Sequence, residues 1–149
     1  MTRKNFVLLA AGGSLALLLG ALAFQYIGGL APCKLCIWQR WPHGLAILAG
    51  HLALRLTAAA WLGAGLMLVG AGIGVYHAGV EQSWWDGPNT CTSGPITGQS
   101  AEDLLNQIMN APIVRCDEIA WSMAGISMAG WNAILSLALV FIWVRAARA

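Results

Sequence analysis

Two cysteines separated by two residues stand in the stretch Pro32-Cys33-Lys34-Leu35-Cys36-Ile37-Trp38-Gln39-Arg40. Such a pair closes a small, reducible disulfide ring. At a helix N-terminus the free N–H groups and the helix dipole favour the thiolate form. Arg40 follows Cys36 by four residues, so on a helix it lies on roughly the same face. Cys91 and Cys116 bring the total to four, an even number that fits two disulfides in any of three connectivities. Zinc is the competing chemistry. It would want a second short Cys/His pair, and Cys91 and Cys116 are too far apart in sequence to be one. A CxxC alone does not choose between metal, structural and redox roles; its surroundings do.

Those surroundings are a membrane. The 149 residues are 58% hydrophobic and only 9% charged, with a mean hydropathy of +0.68, whereas an ordinary soluble domain is about 25% charged. The chain cannot cover a soluble surface but can face lipid. A net charge of +2 gives no reason to invoke nucleic acid, and eight tryptophans suit membrane interfaces. The expectation is a single all-α membrane domain, a bundle of four transmembrane helices over residues 6–27, 36–54, 58–78 and 123–144. About 20 apolar residues are needed per span. Pro42 falls inside the second segment. A helix beginning there would be too short to cross, so it is expected to begin near Cys33–Cys36 and bend at the proline. The turn Arg55-Leu56-Thr57 sends the third span back antiparallel to the second. Gly70 and Gly74 form a small-xxx-small pair that lets helices approach closely. The first segment also resembles a signal peptide, with Arg3 and Lys4 as a basic start and Ala21-Leu22-Ala23 as a small-residue cleavage pattern.

Charge sets the expected orientation. Arg3, Lys4, Arg55, Arg145 and Arg148 fall at one end of a four-span bundle, and all six acidic residues lie in the one long loop, residues 79–122. The positive-inside rule puts both termini in the cytoplasm and all four cysteines on the exported side, where disulfides persist. Within the long loop, Trp84-Trp85 suits the headgroup layer, and Gly87-Pro88-Asn89 and Gly94-Pro95 are turn signals flanking Cys91. Ser100-Ala101-Glu102-Asp103 reads as a helix start, and Leu104, Leu105, Ile108 and Met109 then share a face. A short surface helix on the membrane fits, as does a capped helix packed on the spans.

Taken together, the CxxC-plus-arginine stretch, Cys91 and Cys116 in the second exported loop, and Gly125-Ile126-Ser127-Met128-Ala129-Gly130-Trp131-Asn132 opening the fourth span resemble the bacterial disulfide bond formation protein B (DsbB) family. The resemblance covers nearly the whole chain. It implies an inner-membrane, protein-dithiol:quinone oxidoreductase that reoxidises a soluble periplasmic thioredoxin-like oxidase of the DsbA type and passes the electrons to ubiquinone or menaquinone. It implies roles as well. Cys91 is attacked by the reduced oxidase, Cys116 is released and attacks Cys33, and Cys36 becomes the thiolate facing the quinone, with Arg40 beside both. Resting pairs Cys33–Cys36 and Cys91–Cys116 are the corresponding expectation, with Cys33–Cys116 as an intermediate. Energetics agree with an external acceptor. The oxidase of such systems sits near about −120 mV, and an ordinary dithiol pair near about −270 mV would face roughly 7 kcal/mol uphill in oxidising it. No haem, flavin or iron–sulfur motif is present, and a quinone needs none.

Other residues carry weaker expectations. His77 ends the third span on the exported side, where it either meets the quinone headgroup or is simply interfacial. His43 lies one turn deeper than Arg40, and His51 near the cytoplasmic end reads as structural. Arg115 either lowers the thiol pKa of Cys116 or is solvated, and Lys34 occupies a permissive position between the cysteines. Two other functions use the same parts. A vitamin-K-reductase-like relay has its quinone-facing CxxC late in the core, whereas here it comes first. A membrane scaffold with two structural disulfides would leave Arg40 dispensable.

Overall fold

In the computed structural model, residues 2–88, 100, 102, 105 and 114–149 are described. Among them are four long helices: α1 (Arg3–Tyr26), α2 (Lys34–Ala53), α3 (Ala59–Glu81) and α4 (Met128–Arg148). The helices α1, α3 and α4 are long and apolar enough to cross a membrane. The 20-residue α2 is less apolar, because Lys34, Gln39, Arg40, Pro42, His43 and His51 all lie on it. It begins where the Pro42 argument requires, at the CxxC, and runs through the proline. The surface helix expected after Ser100 lies almost wholly outside the described residues, as does Cys91.

The bundle is apolar on the outside and small-residued within. Leu8, Leu19, Trp41, Leu48, Leu62, Leu68 and Phe141 face outward, while Ala10, Ala46, Ala53, Ala60 and Ala64 are buried with Met67 and Trp143. That inversion suits lipid, in which large side chains gain nothing by hiding and close backbone approach supplies the packing. Gly74 carries out the small-residue expectation directly: a Cβ there would lie 3.0 Å from both the Cβ and the backbone nitrogen of Ala133 on α4. Gly70 does the same more loosely against Pro42 of α2.

The fourth helix starts later than expected. The span expected over 123–144 opens instead on a short hairpin, in which Ser122–Met123 (β1) and Ile126–Ser127 (β2) pair antiparallel. Ala124 and Gly125 both have positive φ, 53° and 77°, which matches the twist that short hairpin turns need. Ser127 then caps α4, its Oγ accepting from Gly130 N at 3.1 Å.

Arg3 and Arg145 lie at the end of the bundle away from the CxxC. Arg3 donates to the carbonyls of Ala53 (2.5 Å) and Leu54 (3.4 Å) at the C-terminus of α2, and the Arg145 guanidinium stacks on Phe6 and Phe141. The C-terminal carbonyls carry the negative end of the α2 dipole, so Arg3 also stabilises that helix. Cys33 and Cys36 are at the opposite end of α2.

Candidate functional site

Cys33 is the N-cap of α2, in extended backbone conformation, and its sulfur accepts from Cys36 N at 3.2 Å. Cysteine thereby takes the place of the usual Ser or Asp cap, directing the unpaired helix N–H groups at sulfur. The expected Cys33–Cys36 disulfide is not formed. Both cysteines are free, and the Cys33 thiol donates to Cys36 Sγ at 3.0 Å. The pair is therefore unequal: Cys33 holds its proton and Cys36 receives the bond. The hydrogen bond to Cys36, together with burial, pushes the Cys33 thiol up from its ordinary value.

Two buried side chains from α2 and α3 frame Cys33. The Gln39 amide is hydrogen-bonded to His77 Nδ1 at 2.7 Å, which turns the opposite ring nitrogen, Nε2, toward the thiol. That nitrogen faces Cys33 Sγ at 3.5 Å and Glu81 Oε1 at 3.9 Å. The His77 ring also hydrogen-bonds to the backbone of Cys116. Cys116, disulfide-bonded, is buried in one apolar cluster with Cys33, Leu35 and Val80. Its neighbour Arg115 is half-exposed and forms a bidentate pair with Asp117 at 2.9 and 2.5 Å, holding that carboxyl below its usual range. Its charge is thus directed to an acid in solvent. Lys34 lies over the Trp38 ring, and His51 is exposed at the far end of α2.

Beside the dithiol lies a cavity of about 430 Å³ between α1, α2 and α4, within the size range of small-molecule sites. Its walls are mainly apolar, with Leu17, Phe24, Trp121 and Leu135 among them, and Cys33, Cys36, Arg40 and His77 all line it. Arg40 donates to Gln25 Oε1 at 2.6 Å and to the Ala21 carbonyl at 3.5 Å, so α1 sets the plane of its guanidinium. Arg40 Nε is buried without a partner among the described residues. So are His43 Nδ1, Asn132 Nδ2 and Glu81 Oε2, although His43 Nε2 does donate to Asn132 Oδ1 at 2.9 Å. All four residues line the cavity. Buried polar atoms normally find partners, so four orphans around one apolar space mark a place built for a polar-headed apolar molecule.

The donor atoms of Cys33, Cys36 and His77 lie within 4.8 Å of one another, which raises the zinc alternative again. Two Zn–S bonds of about 2.3 Å in a tetrahedron hold their sulfurs about 3.8 Å apart. The sulfurs here are closer, at 3.0 Å, a thiol contact rather than a ligand pair.

Glu81, Gln39 and the His43–Asn132 pair went unnoticed or underweighted in the sequence. The one available signal was the four-residue spacing of His77 and Glu81 on a helix. The partners of the others are remote in the chain.

Comparison with known proteins adds an independent line. The family model described as "Disulfide bond formation protein DsbB" matches residues 3–146, nearly the whole chain. The chain belongs to the DsbB family. Proteins named "Disulfide bond formation protein B" are similar throughout. The one from Acidovorax sp. (strain JS42) is 30% identical, covering 94% of this chain and 80% of its own length. That of Verminephrobacter eiseniae (strain EF01-2) is 31% identical over 99% and 89%, and that of Albidiferax ferrireducens is 31% identical over 87% and 84%. No solved structure matches. Membership in the DsbB family agrees with the resemblance carried by the CxxC stretch, and with helices able to cross a membrane.

Proposed function

We propose that this protein is a membrane thiol:quinone oxidoreductase that reoxidises a periplasmic thioredoxin-like oxidase of the DsbA type. One observation carries the reading: an unequal dithiol at a helix N-cap opens onto an apolar cavity lined by Arg40, whose Nε–H has no partner among the described residues. In this reading α2 is a fourth span despite its polar residues, since Trp41, Leu45, Leu48 and Leu52 give it a lipid-facing side. The chain is one domain in the bacterial inner membrane, with both termini cytoplasmic and the cysteines periplasmic.

The cavity fits a quinone. Its apolar walls suit the ring and tail, while Arg40 Nε and Asn132 Nδ2 are donors suited to carbonyl oxygens. When bound, the quinone supplies a two-electron acceptor. The chain's own residues do the rest. Cys91 takes the exchange from the reduced oxidase, and Cys116 leaves as a thiolate. Its burial beside Cys33 supports the next attack, because exchange requires sulfur to meet sulfur. Cys36, favoured as the charged sulfur by the Cys33 hydrogen bond and the helix N-terminus, faces the cavity; Arg40 stabilises negative charge there. His77, oriented by Gln39, sits against Cys33.

Purified protein mixed with the reduced oxidase and a ubiquinone analogue should bleach the quinone absorbance. No bleaching overturns the proposal. A Cys91→Ser variant should abolish turnover with the oxidase, and full turnover would remove Cys91 from the relay.

A further inference from the structure

Electrons and protons part company in this chemistry. Oxidising a dithiol with a quinone moves two electrons and two protons. Thiolate exchange carries the electrons through sulfur, and the protons need their own carrier. The Cys33 thiol is the harder of the two to deprotonate, being buried and engaged with Cys36. Yet Cys33 must lose its proton before the Cys33–Cys36 bond can re-form.

Only a few groups lie in reach. The charged or titratable side chains around the cavity are Cys33, Cys36, Arg40 and His43 from the start and body of α2, His77 and Glu81 from α3, and Arg115 and Glu118 from the segment before β1; α1 and α4 contribute none. Arg115 is paired in solvent with Asp117 and is 3.8 Å from Glu118. His43 is turned to Asn132. Glu81 remains. Its side chain is 5% exposed and receives a hydrogen bond from the Ser127 hydroxyl, while its Oε2 has no partner among the described residues and the residue lines the cavity. His77 Nε2 stands between it and the sulfur, 3.5 Å from Cys33 Sγ and 3.9 Å from Glu81 Oε1.

We propose that Glu81 is the proton acceptor of the dithiol, reached through His77 and emptying into the cavity. The inference rests on the thiol:quinone reading above. The step balances. Nε2, unprotonated in the tautomer whose Nδ1–H is held by the Gln39 amide oxygen, takes the Cys33 proton and passes it on to the Glu81 carboxylate, so the ring is neutral before and after. Cys33 becomes a thiolate and Glu81 a carboxylic acid. The sulfur–sulfur bond then forms between the Cys33 thiolate and Cys36, which thiol–disulfide exchange has already released as a thiolate, and the two electrons released pass to a quinone-class oxidant. Glu81 returns its proton toward the cavity, where the reduced acceptor needs one. Ser127 fits this cycle, since its hydroxyl donates to the charged carboxylate while Oγ accepts from Gly130 N.

The decisive measurement is infrared and needs no quinone. The Cys91→Ser/Cys116→Ser protein, reduced or oxidised chemically at Cys33–Cys36, should show a protonated-carboxyl band of the oxidised form, negative in the reduced-minus-oxidised difference spectrum, because without a quinone Glu81 keeps the proton taken from Cys33. Glu81→Gln should lose that band, and Glu81→Asp should keep a shifted one. In single-turnover reoxidation by a ubiquinone analogue, Glu81→Gln should slow the step about 100-fold, the scale of general acid–base assistance, with partial rescue by Glu81→Asp. A wild-type spectrum without the band, a band that survives in Glu81→Gln, or reoxidation of Glu81→Gln at the wild-type rate overturns the assignment. A wild type that shows the band but reduces no quinone overturns the thiol:quinone reading and leaves Glu81 as a proton partner of the dithiol.

Discussion

Cys33 and Cys36 differ because one caps a helix and the other lies one turn inside it. The cap position gives Cys33 the bond from Cys36 N, and the turn brings the two sulfurs within 3.0 Å, with Cys33 as donor. The same helical geometry carries Arg40 into the cavity four residues on. The helix start at the CxxC and the shared face of Cys36 and Arg40 were legible in the sequence, since spacing along one helix fixes them; the open dithiol was not, because a disulfide was expected there. The rest of the site was not. Gln39 reaches His77 across 38 residues and His43 reaches Asn132 across 89, and no local pattern announces such pairs. A third span over 58–78 leaves Glu81 among the loop acids, whereas α3 continues to Glu81. For Arg40, the expected outcome of Arg40→Ala is a weaker quinone complex with the fold kept. A hydrogen bond from a charged donor contributes about 1.5–3 kcal/mol, so the dissociation constant should rise about tenfold to a hundredfold. Tryptophan quenching by a quinone analogue measures it, and an unchanged affinity removes Arg40 from the site.

At the scale of elements, packing depends on backbones that touch. The apolar pattern revealed the helices, because spans are long, uninterrupted and set by bilayer thickness. It did not reveal the hairpin before α4, since Met123, Ile126 and Met128 look alike in hydropathy whether coiled, paired or helical; only Ala124-Gly125 hinted at a turn. Nor did it show how closely α3 approaches α4. Gly74 lies against Ala133, including its backbone, which cannot yield as a side-chain tip can. Gly74→Ala should therefore force the helices apart and lower stability by about 1–3 kcal/mol, the usual cost of overpacking. Gly72→Ala, where an added Cβ meets nothing within 4 Å, should be near neutral and serves as the control. Unfolding in mixed micelles measures both, and equal stabilities would mean the α3–α4 contact is looser than described.

For the whole molecule, the proposed relay requires that thiol chemistry arriving at Cys91 reach a dithiol at the mouth of the bundle. The chain solves part of this by topology. α3 ends and α4 begins at the same end of the bundle where α2 starts, so the segment bearing Cys116 comes back across the dithiol. Cys33 and Cys116 are 5% and 3% exposed, buried together with Leu35 and Val80. The His77 ring contacts both, through Cys33 Sγ and the Cys116 backbone. Burial in one cluster is a stronger condition than a flexible loop would need, since it holds the two residues near each other before any exchange begins. Replacing Cys36 and Cys91 by serine leaves Cys33 and Cys116 as the two thiols of the chain. Mild oxidation should then join them quickly and in high yield, detected as a faster band on non-reducing gels and the loss of two hydrogens in the intact mass. Because the loop is already closed by packing, the bond should form in dilute micelles without intermolecular dimers. If both thiols stay open to alkylation after oxidation, or dimers dominate, the relay cannot run from Cys116 to Cys33 in this conformation, and electrons must enter the dithiol by another route.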